Sequence, residues 1–235
     1  MKNQYFGDIN DYKKYSLLRH LGGNGQLGIA VCWALTEADG KSDGKRIEYL
    51  RQPDVWRKYD SQVYDHLRHH VIEGGVRDVS RIRQPELVPN CRYYTQVIPD
   101  DLHSRAQYFE KFFKRAQGAD LVFFDPDNGL EVNSIPRGKK QSSKYIYWDE
   151  LETSYRLGHS ILLYQHFPRR ERTSFIRGLV RRFRTLDGIP CVVSYCTSHV
   201  AFLLLPQPHH EGIFARGSRV ISRRWDPLIR IEEHR

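Results

Sequence analysis

Little in this sequence points to a membrane, to export or to a resident metal. Among its 235 residues no apolar run approaches the roughly 20 needed to cross a bilayer. The opening Met1-Lys2-Asn3-Gln4-Tyr5 also lacks the apolar stretch of a signal peptide. A cytoplasmic protein with no membrane partner is expected. The four cysteines, Cys32, Cys91, Cys191 and Cys196, form no C-x-x-C pair, and most fall in apolar stretches where cysteine packs as a small hydrophobe. Reduced thiols are expected, and no zinc site. The pairs His69-His70 and His209-His210 have no metal-ligand spacing. There is no internal repeat, low-complexity segment or linker, so residues 1–235 read as a single domain. Nothing in the chain fixes an oligomeric state.

What is abundant is positive charge. Lys and Arg number 37 against 28 Asp and Glu, a formal +9, which favours an anionic partner, RNA or DNA foremost, because a basic face concentrates phosphate chains.

Periodicity supplies the frame. Asp8 or Asn10 is placed to cap a helix over 11–21 that Gly22-Gly23 ends. The run 27–35 is continuously apolar, as in a strand covered on both faces. Helical spacing recurs over 62–74, 102–117, 150–157 and 169–184. Strands are expected at 92–98, 119–124 and 160–165, with a short extended piece at 144–148. Residues 191–195 and 200–205 are close enough to pair as a hairpin. Alternation of this kind predicts an α/β fold: a mostly parallel central sheet, helices on both faces, and a C-terminal antiparallel hairpin at the edge. From Arg216 onward the chain reads as a basic tail.

In open α/β sheets ligands sit at the carboxyl ends of the strands, and polar residues follow several strands here. The strongest group is Phe123-Phe124-Asp125-Pro126-Asp127-Asn128-Gly129-Leu130-Glu131. Proline ends the ladder and presents Asp125 at the strand tip. Facing a nucleobase, Asp125 can accept a hydrogen from an exocyclic amino group while the neighbouring carbonyl accepts the second. Facing a metal, Asp125 and Asp127 share one side of the chain and, with Glu131, can bind magnesium. A plain turn uses the same residue types. Asp125, Pro126, Asp127 and Asn128 are therefore the candidate catalytic residues. Pro99-Asp100-Asp101 and Gln165-His166 stand at two further strand ends, Asp100 or Asp101 doubling as a helix cap. Lys139 and Lys140, with Arg169, Arg170, Arg177 and Arg181 on the basic helix, are the candidate phosphate contacts, and one strand is expected to reach both Lys139-Lys140 and Asp125.

Apolar-apolar-Asp-Pro resembles motif IV of the methyltransferases that modify the amino group of adenine. The opening Tyr5-Phe6-Gly7-Asp8-Ile9-Asn10-Asp11-Tyr12-Lys13-Lys14-Tyr15-Ser16-Leu17-Leu18 is similar to the start of the RlmJ-type ribosomal RNA adenine methyltransferases. The likeness runs in order through most of the chain. It implies a methyltransferase-like Rossmann fold, S-adenosylmethionine as cofactor, and Asp125 orienting the target amino group. The cofactor would be held by the loop after the first strand, Thr36, Glu37, Asp39, Gly40, Asp43 and Gly44, with Asp100. Two departures stand out. Asp127-Asn128 replaces the family's Pro-Tyr or Pro-Phe, and Cys32-Trp33-Ala34-Leu35 carries no Gly-x-Gly. Three functions are thus open: methylation of an amino group on RNA or DNA, a magnesium-dependent nuclease or phosphoesterase using Asp125 and Asp127, and a non-catalytic methyltransferase-like binding protein.

Overall fold

The computed structural model describes residues 1–37, 44–186, 189 and 191–235. Helix α1 (Ile9–Leu21) starts where the Asp8 side chain accepts from Asn10 N, and it stops at Gly22. Strand β1 (Ile29–Cys32) follows, then the short α2 (Pro53–Trp56), α3 (Ser61–Arg68), and β2 (Cys91–Tyr94). Helix α4 (Leu102–Ala116) returns the chain to β3 (Leu121–Phe124). Beyond it come β4 (Gly129–Leu130), β5 (Tyr145–Ile146), α5 (Trp148–Arg156), β6 (Ser160–His166), α6 (Arg172–Phe183), β7 (Val192–Cys196), β8 (Val200–Leu205), α7 (Glu211–Trp225) and β9 (Arg230–His234).

Seven strands form one sheet in the order β2-β1-β3-β6-β8-β7-β9, and β4 and β5 pair separately. The first four are parallel, and β8, β7 and β9 join through antiparallel ladders. Successive side chains of a strand face opposite ways, which splits the core in two. Val31, Phe123, Leu162 and Phe202 pack with Leu17, Val63, Phe214 and Trp225 of α1, α3 and α7. Cys32, Phe124, Leu163 and Leu203 pack with Phe112, Leu151, Phe175 and Val180 of α4, α5 and α6. The α/β fold with helices on both faces is therefore as expected, and it is Rossmann-like.

The expected hairpin forms but does not end the sheet. Its second strand, β8, enters beside β6, and the edge is β9, built from residues that read as a basic tail. Strand β1 is shorter than the apolar run, because Ala34 turns to φ +44° and only Leu35 regains a bridge, to Val97. No helix among the described residues is long and apolar enough to cross a membrane.

The order matters for the site. From β1 the chain goes to β2 on one side, then to β3 on the other, so the sheet switches direction between β1 and β3. At that point the strand tips leave a crevice where α/β proteins bind ligands.

Candidate functional site

Asp125 stands at this switch point. Its N–H donates to Cys32 O at 2.9 Å, fixing the β3 tip to β1, and its side chain is buried. A buried carboxylate needs a partner, and α1 supplies one. Lys14 Nζ lies 2.7 Å from Asp125 Oδ2 and 2.7 Å from Asp11 Oδ1. Burial opposes the Lys14 charge, but the two carboxylates outweigh it and hold its pKa well above the ordinary lysine value. Asp11 is pushed up to about 6 by burial, against the pull of Lys14. Its other oxygen accepts from Gly7 N at 3.2 Å.

Asp127 is held on the opposite flank. The Thr36 hydroxyl donates to its Oδ2 at 2.9 Å, the Met1 ammonium lies 2.7 Å from Oδ1, and Lys2 Nζ is 3.7 Å away. Burial alone would raise the Asp127 pKa, but the ammonium and the hydroxyl hold it below the usual carboxylate value. The same ammonium donates to Ala34 O at 3.1 Å and Asp125 O at 3.3 Å.

Above these pairs opens a pocket of about 490 Å³. Its floor holds Asp8, Asn10 and Asn128 beside Asp11, Asp125 and Asp127, the last three paired with the Lys14 and Met1 ammonium groups that also line it, and its mouth carries the exposed cations Lys45 and Arg46. Asn10 is buried, and its Oδ1 has no hydrogen-bond partner among the described residues. Tyr5, Tyr164 and His166 complete the wall. His166 Nε2 meets Tyr164 OH at 3.1 Å, and burial lowers its pKa. A pocket of this kind accepts hydrogens at its floor and attracts an anion at its mouth.

The expected site residues divide. Asp125, Pro126, Asp127, Asn128 and Gly44 line this pocket. Glu131 is turned to other work: its carboxylate accepts from Trp148 N at 3.1 Å. Thr36, Glu37, Asp100 and Lys140 border a second crevice, of about 500 Å³, beside the β2 side of the sheet, so Lys140 and Asp125 open on different cavities. Asp100 ties down the loop opposite, accepting from Gln141 N at 2.9 Å and Ser143 N at 2.6 Å, and Asp101 is the cap of α4. Lys139 is exposed in that loop. Asp39, Gly40 and Asp43 lie outside the described residues. Arg170 and Arg177 line a third cavity near α6, while Arg169 and Arg181 are exposed and do not line it. Gln165 is a brace: it accepts from Leu130 N at 2.9 Å and donates to His166 O at 2.9 Å. Gly129, at φ +119°, is required beneath it, since a Cβ there would fall 2.4 Å from the carboxamide.

The described residues do not fit S-adenosylmethionine. Trp33 and Ala34 occupy the β1 tip, both fully buried, where a backbone cradle would need room. The Ala34 carbonyl and the Thr36 hydroxyl are already bonded, and Met1, Lys2 and Asp127 close the gap between the β1 and β3 tips. Nor do they fit magnesium. Among the described residues no three His, Cys, Asp or Glu side chains gather as a ligand cluster, and ammonium groups stand at both Asp125 and Asp127. At the other end of the sheet, Ser160, His210 and Asp120 form a chain of contacts at 3.0 and 3.4 Å. Ser160 is fully buried and its hydroxyl accepts from Gln207 N at 2.8 Å, so it is a brace with no access to substrate.

The partnership of Lys14 and Asp11 with Asp125 was not foreseen from the sequence. Its signal is present: α1 buries Asn10, Asp11, Lys13, Lys14 and Ser16 together, and a helix that buries polar groups of opposite charge needs a polar site to face. No protein-family model matches the chain, and no curated protein matches it.

Proposed function

We propose that the protein binds single-stranded nucleic acid and receives one amino-bearing base in the pocket at the β3 tip, on a Rossmann-like scaffold without a cofactor cradle. The observation that carries this reading is the polarity of the pocket: an acceptor floor, including the unpartnered Asn10 Oδ1, under a mouth of Lys45 and Arg46. A nucleotide presents the complementary pair, amino hydrogens on adenine, cytosine or guanine and a phosphate beside them. Tyr5 and Tyr164 offer ring faces against which a base can stack. The net charge of +9 supplies the long-range attraction. The resemblance to enzymes that act on adenine amino groups points to the same chemical group.

The test is binding of labelled single-stranded oligomers that differ only in base. Adenine or cytosine runs should bind roughly tenfold or more tighter than uracil or thymine runs, the discrimination of one good hydrogen-bonded pair. Equal affinity for all four sinks the reading. A second reading, methylation of the same amino group, is favoured by the place of Asp125 at a strand tip beside the switch point. It requires uptake of S-adenosylmethionine, so calorimetric titration with and without magnesium separates the two. No heat is expected, and micromolar binding would replace the first reading with the second. Magnesium-dependent cleavage of the oligomers would instead favour a phosphoesterase.

A further inference from the structure

A groove of about 710 Å³, larger than the pocket, lies on the other side of His166-Phe167. It runs between α1, the start of α6, the Thr197-Ser198 turn and the segment before β9. Its cations are Lys13, Arg170, Arg172, Arg177 and Arg230.

Lys13 is the informative one. Only 4% of it is exposed, yet neither an ion pair nor a hydrogen bond joins its ammonium to any described residue, whereas its neighbour Lys14 has two carboxylates. A buried, unpaired ammonium is costly, and burial, followed by the charge of Arg46, pushes its pKa down to about 8 against the pull of Asp8. The acids of the groove are committed elsewhere. Glu171 caps α6, accepting from Thr173 N at 2.7 Å and Ser174 N at 2.5 Å, and Glu232 pairs with Arg230 at 3.4 Å. Two guanidinium groups are braced on rings, Arg172 at 5.2 Å from Phe167 and Arg170 at 4.5 Å from Phe175. His199, beside the Thr197-Ser198 turn, is within reach of charges from both cavities. His199 feels Arg46 from the pocket mouth together with Lys13 and Arg172 from the groove, and after burial these three cations lower its pKa.

We infer that the groove seats the phosphate of a nucleotide adjoining the one whose base enters the pocket, so that a single strand passes from Arg46 over His199 to Lys13 and Arg172. This rests on the proposed nucleic-acid reading and adds a path and a second contact site to it. The test measures anisotropy of a short labelled single strand over a range of salt, for the wild type, for Lys13→Met and for the exposed Arg172→Gln and Arg177→Gln. Each lost cation should weaken binding roughly three- to tenfold and flatten the salt slope by about 0.7, the value for one phosphate contact on a single strand. The preference among bases should persist. Unchanged affinity and slope in all three variants overturn the groove while leaving the pocket reading intact. A flattened slope in a protein with no base preference keeps the groove and discards the pocket reading. A mononucleotide that competes as well as the oligomer overturns the strand path and assigns the groove to a small phosphorylated ligand.

Discussion

Lys13 and Lys14 are consecutive, on one helix and both buried, yet they serve opposite regions. Lys14 closes the floor of the pocket, saturated by Asp11 and Asp125. Lys13 points to another side of the helix and enters the groove with no carboxylate paired to it among the described residues. The first is a completed internal ion set, costly to break. The second is an incomplete one, costly to keep, which the chain has reason to retain only if something anionic completes it. Lys14 thus belongs to a centre that holds the fold, and Lys13 to the surface proposed to take a phosphate.

The sharpest break is Lys14→Met. It leaves Asp11 and Asp125 buried without their cation, and removal of one partner from such a set costs roughly 3–5 kcal/mol. Urea denaturation should show that loss, and a wild-type midpoint would mean that the pair is not formed. Arg105→Met should approach the same size. Arg105 is fully buried, bonds Glu150 at 2.6 and 2.9 Å and donates to Tyr145 O at 2.7 Å, tying the segment after β4 to α4. The same denaturation series measures it.

Lys13→Met should go the other way. Burial holds the native Lys13 pKa near 8, below the ordinary lysine value of 10.5, so the unfolded chain binds more protons between these values. Stability of the wild type should therefore rise as pH climbs from about 8 to 10.5. Lys13→Met should remove that rise and add roughly 1–3 kcal/mol at neutral pH, while weakening oligomer binding. Denaturant midpoints across that range decide it, and a flat wild-type profile would place the ammonium in water. The smallest effect concerns His199. Neutralising Arg46, Lys13 and Arg172 with a bound strand should raise its pKa, by less than about one unit, as followed by NMR titration. No shift on saturation would route the strand elsewhere.

Much of the architecture was legible because its strands are apolar on both faces. Residues 121–124 and 160–165 announce themselves, and Asp125 with them. The tail was not legible, for a physical reason. Helix α7 buries only a narrow stripe, Phe214, Gly217, Ile221 and Trp225, and β9 reads Arg-Ile-Glu-Glu-His, a pattern without the alternation of a half-buried strand. The site was legible on one side only. A strand-tip Asp-Pro is a local signal, whereas Lys14 reaches Asp125 across 111 positions, from a helix whose sequence showed only its cap and its end. Of the expected cofactor set, Gly44 lines the pocket of Asp125, whereas Thr36, Glu37 and Asp100 border the crevice beside β2 and Thr36 spends its hydroxyl on Asp127.

The charges of β9 have a further consequence. A sheet whose five inner strands are this apolar invites another chain to add to an open side, and self-association through such an edge is a common route to aggregates. Here the outermost strand exposes Arg230, Glu232 and Glu233, of both signs and at positions where an incoming strand would have to bury them. The segment that read as a basic tail thus acts as a guard rail against further strand addition on this side of the sheet.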